Sequence, residues 1–119
     1  MTKEILVIDD QPCVRELIAE ELSNEGYRVN GLEDVAEVGT YLKTTRPDLV
    51  LLDLYLKGFE GWDILRDIKG QDPDLPVLIF TAYDNFSKDP RSSQADGYLI
   101  KSLNVFDALR EKIGMILDN

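Results

Sequence analysis

The chain is 119 residues long, enough for one domain of ordinary size and too short for two, so residues 1–119 are expected to form a single unit. Asp and Glu number 23 against 13 Lys and Arg, and the formal charge of -10 would repel a phosphate backbone, which excludes direct nucleic-acid binding by this domain. With no histidine, the chain lacks the commonest general base and the commonest soft-metal ligand, so any metal should be hard and bound by oxygen.

Cys13 is the single cysteine; it excludes an internal disulfide and reads as a small buried hydrophobe. No apolar run approaches the length of about 20 residues that spans a bilayer. The N-terminus has neither signal-peptide nor transit-peptide patterning, so the expected address is the cytoplasm, without membrane insertion.

In chain order, the first strand-length apolar run is EILVI at 4–8. A helix follows from Pro12, whose fixed φ suits a first turn; Val14, Leu17, Ile18 and Leu22 should share its buried face, and Gly26 is a stop. The second strand is YRVNG at 27–31, and Val35, Val38 and Leu42 mark the helix after it. DLVLL at 48–52 is the third strand; Ile64, Leu65 and Ile68 mark a third helix, opened by Trp62, which reads as a partly buried packing or interface aromatic. LPVLIF at 75–80 is the fourth strand. The stretch DNFSKDPRSSQAD at 84–96 contains Pro90, several Ser and Asp residues and almost no apolar repeat, so a helix there should be short, frayed or absent. GYLIK at 97–101 is the fifth strand, and Phe106, Leu109, Ile113 and Ile116 mark the last helix. Strands alternating with helices predict an α/β fold with an open parallel sheet covered on both faces. Ligands in such sheets bind beyond the carboxyl ends of the strands.

Asp9 and Asp10 follow the first strand, Asp53 the third, Thr81 the fourth, and Lys101 ends the fifth. Each has a plain structural reading: the acids and Thr81 as helix caps, Lys101 as a solvated loop charge. Together they form a consistent chemistry. Three clustered carboxylates repel one another unless a divalent cation sits among them. Mg²⁺ suits the set, because it takes oxygen ligands, keeps waters, and typically binds one or two carboxylates with a phosphate oxygen. With Lys101 as a further positive charge, a carboxylate could attack phosphorus in line and become an aspartyl phosphate; Asp53 is the natural nucleophile.

From ILVIDD through PDLVLLDLYLKGFEGWDIL and PVLIFTAY to DGYLIKS, the chain resembles the receiver domain of two-component response regulators. The resemblance implies a flavodoxin-like (βα)5 fold of three layers, with strand order 2-1-3-4-5 and five surrounding helices. It casts Asp53 as phosphoacceptor, Asp10 as direct Mg²⁺ ligand, Asp9 as its water-mediated partner, and the backbone carbonyl of Tyr55 as another ligand. Lys101 matches the phosphate-binding lysine, Thr81 the hydroxyl that moves toward the phosphoryl group, and Tyr98 the aromatic switch. Ala82 would leave a path for an incoming phosphohistidine. The implied function is regulatory and not that of an enzyme with an external substrate. Phosphate would come from a sensor histidine kinase or a histidine phosphotransfer protein. Output would pass to a protein target or to a C-terminal effector domain absent from these residues, and a homodimer is left open.

The chain departs from the family at three places. Ser102 stands where proline usually follows the lysine, leaving either a cis bond or a reshaped trans loop. Lys57 replaces a common proline and reads as a solvated charge, while Gly61 keeps the expected helix entry. The polar stretch 84–96 replaces the fourth helix. Ser102 and the altered fourth helix support a second reading, a phosphorylation-independent receiver-like interaction module. A Mg²⁺-dependent phosphohydrolase is disfavoured, since the chain offers no general acid beside Asp53 and no room for a substrate cap. Tyr55 and Tyr83, flanking the phosphate, should hinder attacking water and prolong the aspartyl phosphate.

Overall fold

The computed structural model describes residues 2–33, 35–56, 59–82, 88–102 and 105–117. Five strands, β1 (Glu4–Ile8), β2 (Arg28–Leu32), β3 (Leu49–Leu52), β6 (Val77–Thr81) and β7 (Gly97–Ile100), form one sheet of order β2-β1-β3-β6-β7. All its pairings are parallel, and the order is 2-1-3-4-5 when only these five strands are counted. Among the described residues, four α-helices connect or follow them: α1 (Pro12–Ser23), α2 (Val35–Thr44), α3 (Trp62–Gln71) and α4 (Val105–Leu117).

β1, β3 and β6 are central and buried on both faces, which is why they read as unbroken apolar runs. Successive side chains still point to opposite faces. Leu6, Ile8, Val50, Leu52 and Ile79 pack with Val38 of α2 and with Trp62, Ile64, Leu65 and Ile68 of α3. Ile5, Val7, Leu49, Leu51, Leu78 and Phe80 pack on the other face with Ile18 and Leu22 of α1 and Val105, Leu109 and Ile113 of α4. The sheet is thus the middle of three layers.

Two expectations on α1 need correction. Leu17 is 46% exposed, whereas Ile18 and Leu22 are fully buried. The buried stripe follows the i, i+4 row through Val14, Ile18 and Leu22, and Leu17 lies about 100° round the helix from Ile18. Cys13 is exposed, not buried, because it sits in the first turn, where the helix rises from the carboxyl edge of the sheet. The expected stop holds: Gly26 takes φ +93, and the Tyr27 N–H returns to the Leu22 carbonyl at 3.1 Å.

Against the five helices implied by the resemblance, the described residues form four α-helices and, at Pro90–Gln94, a short 3-10 helix. Its local chemistry explains the substitution. Asp89 caps it by accepting the Arg91 N–H, Pro90 starts it, and no apolar repeat is available to extend it. Residues 84–87 lie outside the described residues. After β3 the chain forms an unanticipated antiparallel ribbon of two two-residue strands, β4 (Tyr55–Leu56) and β5 (Phe59–Glu60). Lys57, between them, lies outside the described residues. Among the described residues, no helix is long and apolar enough to cross a membrane.

Candidate phosphoacceptor site

Strand register brings the acids together. Ile8 pairs with Leu52, so Asp9 and Asp53 each stand one residue beyond the last pair of adjacent strands, and the Asp53 N–H donates to the Ile8 carbonyl at 3.0 Å. Thr81 pairs with Ile100, and the Lys101 N–H donates to the Thr81 carbonyl at 2.7 Å, which places the lysine at the same edge.

One carboxylate oxygen from each of Asp9, Asp10 and Asp53 lies within 4.8 Å of the others. Asp9 is 1% exposed and Asp53 7%. Lys101 Nζ donates to Asp9 Oδ2 at 2.7 Å and to Asp53 Oδ2 at 3.2 Å. The remaining oxygens are also held: Gln11 N–H donates to Asp9 Oδ1 at 2.9 Å, and Tyr55 N–H to Asp53 Oδ1 at 3.1 Å. Burial pushes the Asp53 carboxyl above its usual range; the Lys101 charge and the Tyr55 N–H oppose this, and the neighbouring Asp9 charge adds to it. A divalent cation would oppose the like-charge repulsion, and the donor set of three hard oxygens fits Mg²⁺.

An open cleft of about 600 Å³ exposes this cluster, lined by Asp10, Cys13, Asp53, Tyr55, Ala82 and Lys101 among others. A groove of about 510 Å³ between α2 and α3 is comparable in size, but its wall is mostly apolar, with Val38, Leu42, Ile64 and Ile68, and it has no such convergence of acids. Size therefore does not select the site; converging charge does.

The structure brings together Asp9, Asp10, Asp53, Tyr55 and Lys101, and it buries Thr81 fully at the adjoining strand end. Tyr98 is half-buried against the core face shared with Trp62 and Ile79. No cis peptide occurs among the described residues, so the Lys101–Ser102 bond is trans. Tyr83 lies outside the described residues.

Two contributors escaped the sequence reading, and a third, Gly61, was read only as a helix entry. Arg15 Nη1 donates to the Asp9 carbonyl at 2.6 Å. The Phe80 ring lies 5.5 Å from Lys101 Nζ. Gly61 closes against the site's backbone: a Cβ there would stand 2.7 Å from the Asp53 carbonyl oxygen and 2.8 Å from Leu54 Cα. Only Gly61, at a helix entry, carried a sequence signal.

Fold and site together define an α/β receiver domain with an acidic cleft at the carboxyl edge of its sheet. The chain belongs to the response regulator receiver domain family, whose model matches residues 5–113. Among curated relatives, the response regulator MprA of Mycobacterium tuberculosis is 36% identical over 103 residues, covering 85% of this chain and 45% of MprA. The chain therefore spans a little under half the length of the curated relatives it matches. Among solved structures, the response regulator TrrA of Thermotoga maritima in complex with Mg(2+)-BeF is 38% identical with a TM-score of 0.92, covering 98% of this chain and all of that one. TrrA in complex with the histidine kinase ThkA has a TM-score of 0.90 at 38% identity, covering 98% of this chain and 99% of that one.

Proposed function

We propose that residues 1–119 act as one cytoplasmic receiver domain that accepts a phosphoryl group on Asp53 from a phosphohistidine, carried by a sensor histidine kinase or a histidine phosphotransfer protein. The carrying observation is the convergence of Asp9, Asp10 and Asp53 within 4.8 Å, with Lys101 bonded to two of them. TrrA supports the reading, having been solved both with Mg(2+)-BeF and with a histidine kinase. Asp9, Asp10, Asp53 and the Tyr55 backbone carbonyl would hold Mg²⁺, which supplies positive charge beside the transferring phosphoryl oxygens.

The chain's own residues do the positioning. β3 fixes the Asp53 carboxylate at the mouth of the cleft, and the Tyr55 N–H orients one of its oxygens. The other oxygen attacks phosphorus as the phosphorus–nitrogen bond of the donor breaks, and the imidazole leaves and takes up a proton. Lys101, already at the acids, stabilises charge on the phosphoryl oxygens. Thr81 and Tyr98 then carry the change to a protein target or to an effector domain on a longer chain, with pairing of two copies as one form of output. The domain promotes its own phosphorylation and dephosphorylation and turns over no external substrate.

Ser102 and the 3-10 helix favour the second reading, an interaction module independent of phosphorylation. Intact-protein mass after incubation with Mg²⁺ and acetyl phosphate separates the two. One added phosphate, lost in Asp53→Ala and without metal, is expected. No adduct, from acetyl phosphate or from histidine phosphodonors, would establish the second reading.

A further inference from the structure

We propose that Arg15 and Gly31 form a matched pair that sets the orientation of the Asp9–Asp10 peptide, making Arg15 a positioning residue for the divalent-cation site. This rests on the acid cluster being that site.

The carbonyl that Arg15 holds belongs to the peptide bond joining Asp9 to Asp10, so its direction constrains both acids at once. Beyond the end of β1, the Asp9 N–H is taken by the Leu32 carbonyl of β2 at 3.1 Å. Its carbonyl accepts from Arg15 Nη1 at 2.6 Å, a charge-assisted bond from a side chain only 20% exposed. The two Asp9 carboxylate oxygens accept from Gln11 N–H and Lys101 Nζ. Lys101 also bonds Asp53 and belongs to the phosphate chemistry, whereas Arg15 touches no carboxylate of the cluster among its described contacts.

To reach Asp9 from α1, the Arg15 side chain runs lengthwise over β2 at Gly31. A Cβ on residue 31 would meet Arg15 Cδ at 3.0 Å, Nε at 3.6 Å and Cβ at 3.8 Å. Glycine inside a strand is unfavourable and marks a close approach by another group. Here that group is the arginine stem. The guanidinium ends between the Asp9 carbonyl and the Glu33 carboxylate, 3.9 Å from Nη2 just past β2. Neither end of the stem is then free to yield to a side chain at 31.

Charge and geometry predict opposite signs. Removing a cation near three carboxylates should tighten Mg²⁺ binding by Coulomb's law alone. Losing the bond that orients the Asp9–Asp10 peptide should weaken it, as changes to groups that orient metal ligands do by about 10- to 100-fold.

The test measures Mg²⁺ affinity calorimetrically under conditions where circular dichroism shows each protein folded. The proteins are the wild type, Arg15→Ala, Arg15→Lys, Gly31→Val and the double variant Arg15→Ala/Gly31→Val. Arg15→Ala and Gly31→Val should each weaken Mg²⁺ binding by about ten-fold or more. The double variant should be no weaker than Arg15→Ala, because both changes break one bond, and Arg15→Lys should recover part of the affinity. In urea, Gly31→Val should lower the midpoint when Arg15 is present and leave it unchanged or raise it when Arg15 is absent. Unchanged or tighter Mg²⁺ binding in Arg15→Ala, whatever its midpoint, would overturn the inference and leave the acid site standing. Effects that multiply in the double variant would overturn the pairing. A wild-type protein that binds no Mg²⁺ would overturn the reading of the acid cluster and the role of Arg15 with it.

Discussion

Gly61→Ala tests how tightly the fold fixes the phosphoacceptor. Gly61 has φ -67 and ψ 0, which alanine adopts without strain, so any cost comes from contact alone. An added Cβ would stand 2.8 Å from Leu54 Cα and 2.7 Å from the Asp53 carbonyl oxygen, against an optimum of about 3.5–4.0 Å between carbons. Both obstacles are backbone atoms, and no side chain can swing aside. Relief requires the peptide after Asp53 to move away from α3 by roughly 0.7 Å. Overpacking of this kind costs about 1–3 kcal/mol. The reduced freedom of the unfolded chain returns about 0.4–1 kcal/mol. The net loss, about 0–2.6 kcal/mol and centred near 1, should lower the urea midpoint by roughly 0.5 M. The same movement tilts the Asp53 carboxylate, and since a displacement of about 1 Å can cost 10²-fold in rate, phosphorylation by acetyl phosphate should slow by about ten-fold. A Gly61→Ala protein with wild-type midpoint and wild-type phosphorylation rate would refute the close approach as a determinant of the site.

Arg91 lies 4.5 Å from the centroid of Trp62, the only tryptophan, so Arg91→Ala should shift its fluorescence to the red and cost about 0.5–1 kcal/mol in urea unfolding. An unchanged spectrum and midpoint would contradict this. Hydrogen bonds from the Arg91 side chain and N–H hold the Asp89 carboxyl down at about 2. Its folded pKa is below the ordinary 3.8, so the cap's contribution to stability is complete above 3.8 and is lost as pH falls through about 2. Carboxyl ¹³C titration should find this low midpoint and its rise in Arg91→Gln; a wild-type midpoint near 3.8 would contradict the cap. Tyr55 is exposed and lines the cleft beside Asp53. Small polar residues at positions 55 and 83 together should shorten the lifetime of the aspartyl phosphate, and equal lifetimes would refute the shielding.

The central strands were legible because burial on both faces leaves an unbroken apolar run. Asp9 and Asp53 were legible because each is the first polar residue after such a run, and Asp10 follows Asp9 directly. Strand bounds shifted at the centre and the edge alike: β2 moved by one residue at each end, and β6 starts two residues later and ends one later than its expected run. Cys13 and Leu17 misled because a short helix with few apolar positions leaves its rotation about its axis underdetermined. The β4–β5 ribbon is too short to leave a periodic signal. Arg15 and Gly31 are 16 positions apart, and nothing local links them until β2 is laid beside β1. Composition narrowed the stretch 84–96 to a short, frayed or absent helix; the Asp89 cap with Pro90 behind it selects the short one.

The edge of the sheet holds two kinds of parts. Asp9, Asp53 and Thr81 are buried at the ends of central strands, where movement would break strand pairing. Lys101 lies beyond the edge strand β7 and is held at the site by its backbone bond to Thr81 and by its two carboxylates. On the proposed reading, phosphorylation of Asp53 would change what Lys101 bonds to, and β7 is the strand that would carry the change. Tyr98 sits on β7 opposite Ile79, packed on the same core face as Trp62. Trp62 follows Gly61, whose close approach to the Asp53 backbone reaches that face by a second route, and the 3-10 helix rests there through Arg91. Lys101 to Tyr98 and Gly61 to Trp62 are contiguous physical links. Both lead to the face on which the Pro90–Gln94 3-10 helix rests, so on the proposed reading the departure from the family falls on the surface that would receive the signal, while the acid cluster stays assembled.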